Sequence, residues 1–145
     1  MTEKKKEPAL DSTGFLLWKA GNTWQRQIKI ALAPAGITHV QFLLLETLAQ
    51  LEAGKHPFSQ AQIAKAAGID VMMTSKVLRL LVKKQFVSRK SPRHDARAFS
   101  ASLTPQGKKV LDKARALLAK SEANFFAAIS KKKKFAANLE LLASL

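Results

Sequence analysis

The sequence predicts a mainly helical α+β fold in which helices flank one small β-hairpin. Three observations carry this prediction. Apolar residues recur at helical spacing through most of the chain, capping residues stand at the start of several of those segments, and the pattern switches to alternation between Phe86 and Leu103. The 145 residues suit one domain with a helical extension, and 47% apolar composition is enough to build a core.

Residues 1–10 are charged and are expected to form a disordered basic arm. Asp11-Ser12-Thr13 can cap a helix running to about Leu32, with Phe15, Leu17, Trp18, Ile28 and Leu32 as its apolar positions. Ala33-Pro34-Ala35-Gly36 ends it. Thr38 and Gln41 form a capping box, in which each side chain meets a backbone N–H that the helix leaves unpaired. The helix they open, residues 38–52, carries Phe42, Leu43, Leu44, Leu45, Leu48 and Leu51 and is expected to be buried on most sides.

Ser59 and Gln62 repeat the box. They open a short helix with Ile63 and Ala67 facing inward, closed by Gly68. Asp70 caps the next helix, about 71–84, whose apolar stripe is read as Val71, Val77, Leu78, Leu81 and Val82. Thr74, Ser75, Lys76, Arg79 and Lys83 are placed largely outside that stripe. Phe86–Lys90 and Ala98–Leu103 then alternate as two strands around a polar, basic loop at 91–97.

Thr104-Pro105 opens another helix, with threonine as cap and proline in the first turn. Its apolar positions are Val110, Leu111, Ala114, Leu117, Leu118, Phe125, Ala128 and Ile129. Ser130 and the Lys131–Lys134 run mark a break, read as a solvated hinge or as a contact to DNA flanks. A last helix, about 132–143, presents Phe135, Leu139 and Leu142.

Charge narrows the partner. Lys and Arg number 25 against 10 acids, a net charge of +15. Between Lys55 and Val110 there are twelve basic residues and two acids, Asp70 and Asp95, so two-thirds of the excess lies in the middle of the chain. Such a balance favours a polyanion, either nucleic acid or an anionic membrane surface. The longest apolar stretch, Val40–Leu51, is too short and too polar to span a bilayer, and the charged N-terminus lacks an apolar leader. A cytoplasmic protein without a membrane partner is expected.

Other chemistries find no support. The absence of cysteine removes disulfides, thiolate zinc sites and thiol-based sensing. His39, His56 and His94 have no metal-ligand spacing, so neither metal nor cofactor is expected. There is no paired-carboxylate motif, phosphate-cradling glycine loop or nucleophile beside a base, and an enzyme is not expected.

The two helices around Ala67-Gly68-Ile69-Asp70 form a helix-turn-helix, and the hairpin after them forms a wing. The second helix of such a pair fits the major groove, where Met72, Met73, Thr74, Ser75, Lys76 and Arg79 would meet base edges. A methionine there can touch a thymine methyl group. The helix starts at Ser59-Gln60 and at Asp70 offer backbone N–H groups to phosphate. In the wing, Lys90, Arg93, His94 and Arg97 are the candidate DNA contacts. Arg93 and Arg97 would reach the minor groove, and Asp95 would orient Arg97.

The segments from Phe58 to Asp70, from Met73 to Leu81 and from Phe86 to Arg89 resemble the winged helix-turn-helix of the MarR family of bacterial regulators. So does the wing signature Asp95-Ala96-Arg97 followed by Leu103-Thr104-Pro105-Gln106-Gly107, together with Gly36-Ile37-Thr38-His39 upstream. The resemblance covers about residues 12–143. It implies a homodimer in which residues 11–36 and 105–145 interlock and residues 37–104 form the DNA-binding lobe. It implies a pseudo-palindromic operator with half-sites roughly 34 Å apart. It also implies repression by occlusion, relieved by a small aromatic or anionic effector. Trp18, Trp24, His39 and Phe42 are then either walls of an effector pocket or core and dimer packing. Two departures stand out: without cysteine the peroxide-sensing mechanism of some relatives is excluded, and Met72-Met73 is unusual at groove-facing positions. The alternative is a sequence-tolerant nucleoid or nucleic-acid-binding protein without an effector.

Overall fold

The structure, a computed structural model, describes residues 12–54, 58–90 and 100–145. The helices are α1 (Thr13–Leu32), α2 (His39–Ala53), α3 (Gln60–Ala67), α4 (Val71–Lys83), α5 (Pro105–Phe125) and α6 (Lys132–Ala143), with a short 3-10 turn at Ala33–Ala35. Two strands, β1 (Val87–Lys90) and β2 (Ser100–Leu103), pair antiparallel between α4 and α5, with Val87 opposite Leu103 and Ser88 opposite Ser102. The chain divides into two compact units: Leu32–Leu117, and α1 to Ala31 together with Leu118–Leu145.

Helix starts follow the side chains that cap them. Ser12 opens α1, its Oγ accepting from the Phe15 N–H at 3.2 Å, while Asp11 lies outside the described residues. Thr38 and Gln41 close a reciprocal box at the start of α2, and Ser59 and Gln62 do the same for α3. The Asp70 carboxylate accepts from the Met73 N–H at 2.8 Å and opens α4. Each such cap contributes about 1 kcal/mol by pairing a donor that the first helical turn leaves free.

The core of the larger unit is aliphatic. Leu44, Leu45 and Leu48 of α2 are fully buried, as are Ile63 of α3 and Leu81 of α4. Leu78, Val87, Ala101, Leu111 and Ala114 join them at no more than 3% exposure. A buried leucine of this kind is worth about 2 kcal/mol in transfer terms. Two long-range polar links tie α5 to the same unit. Arg115 grips Glu46 of α2 with two nitrogens, at 2.7 and 3.2 Å, and the Lys113 ammonium donates to the Pro34 carbonyl at 2.9 Å.

In the smaller unit the sequence expectation needs correcting. α5 stops at Phe125, so Ala128 and Ile129 are not part of it, and Lys132–Lys134 form the first turn of α6 instead of a hinge. The bend lies ahead of most of the lysine run and is placed by aromatic packing. Phe126 stands edge-on to Phe125, with ring centres 4.9 Å apart, and packs against Phe135 at 6.0 Å. The Phe135 N–H then closes the first turn of α6 on the Lys131 carbonyl. No residue of α6 is buried. No single helix among the described residues is long and apolar enough to cross a membrane.

Candidate nucleic-acid interface

The turn between α3 and α4 is built by Gly68. At φ 69° and ψ 31° it takes the left-handed conformation that a side chain disfavours. The Ile69 N–H then reaches back to the Ala64 carbonyl at 3.0 Å, the double-bonded helix end that terminates α3 and frees Asp70 to cap α4.

α4 has two distinct faces. Thr74, Val77, Leu78 and Leu81 are buried at the spacing i, i+3, i+4, i+7 and seat the helix on the core. Met72, Lys76, Arg79 and Lys83 run along the other side at i, i+4, i+7, i+11, and all four are exposed. Met72 is 84% exposed, Val71 51% and Met73 43%. Thirteen residues make this helix about 20 Å long, and an α-helix's diameter of roughly 10–12 Å is what the roughly 12 Å width of a DNA major groove admits.

Two expectations fail here. Thr74, read as groove-facing, has 0% exposure, and its Oγ1 finds no hydrogen-bond partner among the described residues. The spacing 74-77-78-81 puts it on the inward stripe, and the hydroxyl misled the reading because it is polar. Val71, read as part of the apolar stripe, is 51% exposed at the first position of the helix, although its spacing from Thr74 and Leu78 is that of the stripe.

The hairpin is anchored at its base by contacts that no periodic pattern announces. Two residues past the end of α4, Gln85 takes φ 66° without being glycine, so that the Phe86 N–H reaches the Leu81 carbonyl at 3.0 Å. Thr104 then stitches the two sides together. Its hydroxyl donates to the Gln85 carbonyl at 2.6 Å and accepts from the Gly107 N–H at 3.0 Å, while its own N–H donates to the Phe86 carbonyl at 3.0 Å. Gly107 lies so close to Phe86 that a Cβ would collide with the Phe86 carbonyl. The Leu-Thr-x-x-Gly signature is therefore the knot that joins the end of α4, the return strand and the start of α5. Glu52, at the end of α2, adds a fourth tie by accepting from the Leu103 N–H at 2.8 Å. Ser88 and Ser102 hydrogen-bond across the strands at 2.9 Å.

Of the remaining expected contacts, Ser59 and Gln60 are half-buried at the start of α3, and Ser75 is half-buried on α4. Lys90 ends β1. Arg93, His94, Asp95 and Arg97 lie outside the described residues.

Comparison with known proteins assigns the fold to a lineage. The profile of the MarR family matches residues 37–99. YdcH of Bacillus subtilis (strain 168), named an uncharacterised HTH-type transcriptional regulator, is 38% identical over 131 residues, spanning 90% of this chain and 89% of its own. The chain belongs to the MarR family of transcriptional regulators. Solved structures agree. The MarR-family protein Rv2887 of Mycobacterium tuberculosis in complex with salicylic acid superposes with a TM-score of 0.67 at 28% identity, covering 90% of this chain and 96% of that one. Its complex with DNA gives 0.68 at 26% identity, covering 90% and 97%. The helices and two-stranded hairpin described above are the winged-helix fold of this family.

Within this MarR-family regulator, the four candidate effector residues divide between the two units. Trp18 and Trp24 lie on α1, where Trp18 is exposed and stacks on Phe15 at 5.9 Å, and Trp24 is half-buried. His39 and Phe42 lie on α2 and are half-buried. Burial lowers the pKa of the His39 imidazole below its usual 6.5. The Arg115 hydrogen bond holds the Glu46 carboxyl below its ordinary value, and the Arg115 guanidinium is raised in turn by Glu46.

Proposed function

We propose that this MarR-family regulator is a cytoplasmic homodimer that binds a pseudo-palindromic operator sequence-specifically and represses transcription by occupying it. The observation that carries the reading is the outer stripe of α4: Met72, Lys76, Arg79 and Lys83 on a helix locked from behind by four buried residues and capped at Asp70. A helix so held keeps its shape while a duplex approaches, and no carboxylate interrupts its basic side. Lys90, Arg93, His94 and Arg97 would extend the contact through the wing, with Asp95 orienting Arg97, and the α3 start at Ser59-Gln60 would meet phosphate.

The dimer reading rests on α6, which has no buried residue and leaves Phe135, Leu139, Leu141 and Leu142 exposed. Patches of this kind on a soluble chain mark contact surfaces. Residues 11–36 and 105–145 would form the dimerisation region, and residues 37–104 the DNA-binding lobe. A small aromatic acid is the proposed effector, by analogy with the salicylic acid bound to Rv2887.

The test is release. DNA fragments selected by the full-length protein should bind with steep salt dependence, and benzoate-type carboxylates should dissociate them. Arg97→Ala should weaken binding at least tenfold while the dimer stays folded. Unchanged affinity in that variant would remove the wing from the interface, and indifference to every aromatic acid would remove the effector. A second reading, sequence-tolerant nucleic-acid binding, is favoured by the net charge of +15 alone, and similar affinity for random duplex would support it.

A further inference from the structure

The first turn of α4 has an unusual surface for a helix that reads bases. Val71, Met72 and Met73 are all exposed, Thr74 is buried and Ser75 is half-buried. One oxygen of the Asp70 carboxylate already accepts from the Met73 N–H. Fully exposed side chains able to hydrogen-bond a base edge therefore begin only at Lys76, one turn into the helix. Three consecutive large apolar side chains left in contact with water forgo much of the stabilisation that burial would bring in the free protein, Met72 most of all, and none is among the buried residues that seat the helix.

The major-groove edge of a base pair presents donors, acceptors and one apolar feature, the C5 methyl group of thymine. A surface of two methionines and a valine cannot pair with the donors and acceptors. It can cover the methyl group, and an unbranched thioether adapts its shape to do so. We propose that the first turn of α4 reads thymine methyl groups, with Met72 as the principal contact and Val71 and Met73 beside it. Hydrogen-bonded and phosphate contacts are left to Lys76 and Arg79 further along. Specificity in each half-site is then set first by shape and hydrophobic contact at thymine, and only second by hydrogen bonding. This inference rests on the reading of α4 as the groove-binding helix.

The experiment uses the full-length protein and a duplex selected from a random pool for tightest binding. Each half-site thymine is replaced in turn by uracil, which removes the methyl group and leaves every hydrogen-bonding atom in place. At one or two positions per half-site the affinity should fall about fourfold, the factor that corresponds to about 0.8 kcal/mol for one buried carbon. Met72→Ala should weaken binding to the thymine duplex by a similar or larger factor and should no longer distinguish thymine from uracil. Arg79→Ala should weaken both duplexes equally and keep the distinction. Met72 is on the surface, so its truncation leaves the fold intact. If the protein selects a sequence but tolerates uracil at every position, the inference is overturned and the DNA-binding reading stands. If Met72→Ala keeps the full thymine preference, another residue reads the methyl group and the inference is again overturned. If no sequence is selected at all, both readings fall together.

Discussion

α4 and α6 are helices of similar length, 13 and 12 residues, and both expose large apolar side chains. They do so for opposite reasons. α4 is seated by Thr74, Val77, Leu78 and Leu81, capped by Asp70 and closed by the turn at Gln85, so its exposed residues stand on a rigid base. α6 has no buried residue, its start at Lys131 has no side-chain cap, and three lysines occupy the turn where the helix dipole favours acids. Exposed apolar groups on an anchored helix form a surface ready for a ligand. The same groups on a helix with no buried residue call for a cover that stabilises the helix itself, which the proposed dimer would supply.

The largest effect should come from removing the anchor. Gly107→Ala drives a methyl group into the Phe86 carbonyl and separates the end of α4 from the start of α5. A destabilisation of about 3 kcal/mol or more is expected by chemical denaturation. A shift below about 1 kcal/mol would mean that the knot at Thr104 can relax and that α4 does not depend on it.

The next effect separates the two helices directly. If the proposed dimer forms through α6, replacing both Leu139 and Leu142 by Asp should give a monomer in sedimentation and lower operator affinity at least a hundredfold, since one bound half-site no longer assists the other. Met72→Asp, with its charge on the α4 face, should leave the assembly unchanged and impair only DNA binding. Equal assembly in all three proteins would contradict the division of roles.

A smaller change should strengthen the base of α4. Thr74 buries a hydroxyl that has no partner among the described residues, and Thr74→Val keeps its shape without that group. Stability should rise by about 1 kcal/mol in thermal unfolding, with operator affinity unchanged. A loss of affinity would return Thr74 to the groove side.

The smallest effect concerns the Glu46–Arg115 pair. The folded state lowers the Glu46 pKa, so the pair contributes above the ordinary value of 4.5, and the contribution is lost as pH falls through the lowered folded value. Both side chains keep solvent contact, and a few tenths of a kcal/mol to about 1 kcal/mol is expected. Glu46→Gln should therefore be less stable than wild type at pH 7, and the gap should close in acid.

Much of this was legible in the sequence because the information is local. Thr38, Ser59 and Asp70 cap helices through neighbours three residues away, and Gly68 ends α3 by its own conformational freedom. The switch from helical to alternating spacing located the hairpin. What stayed hidden depends on distant partners or on a residue acting out of character. Glu52 meets Leu103 across 51 positions, and Arg115 meets Glu46 across 69. Gln85 adopts a conformation that glycine usually supplies, so nothing in its type announced the turn. Thr74 was misplaced because polarity outweighed spacing, although 74-77-78-81 is a helical stripe. On the candidate interface, Met72, Met73, Lys76 and Arg79 were legible as the outer side of α4. The seat beneath them and the knot beside them were not.

The most direct test of the account is a competition titration at physiological salt between a duplex from the protein's own promoter region and a random duplex of the same length. The account predicts a preference of at least about a thousandfold, with the logarithm of affinity falling linearly as the logarithm of salt concentration rises. Equal affinity for the two duplexes would contradict it and leave a basic protein that holds nucleic acid without reading it.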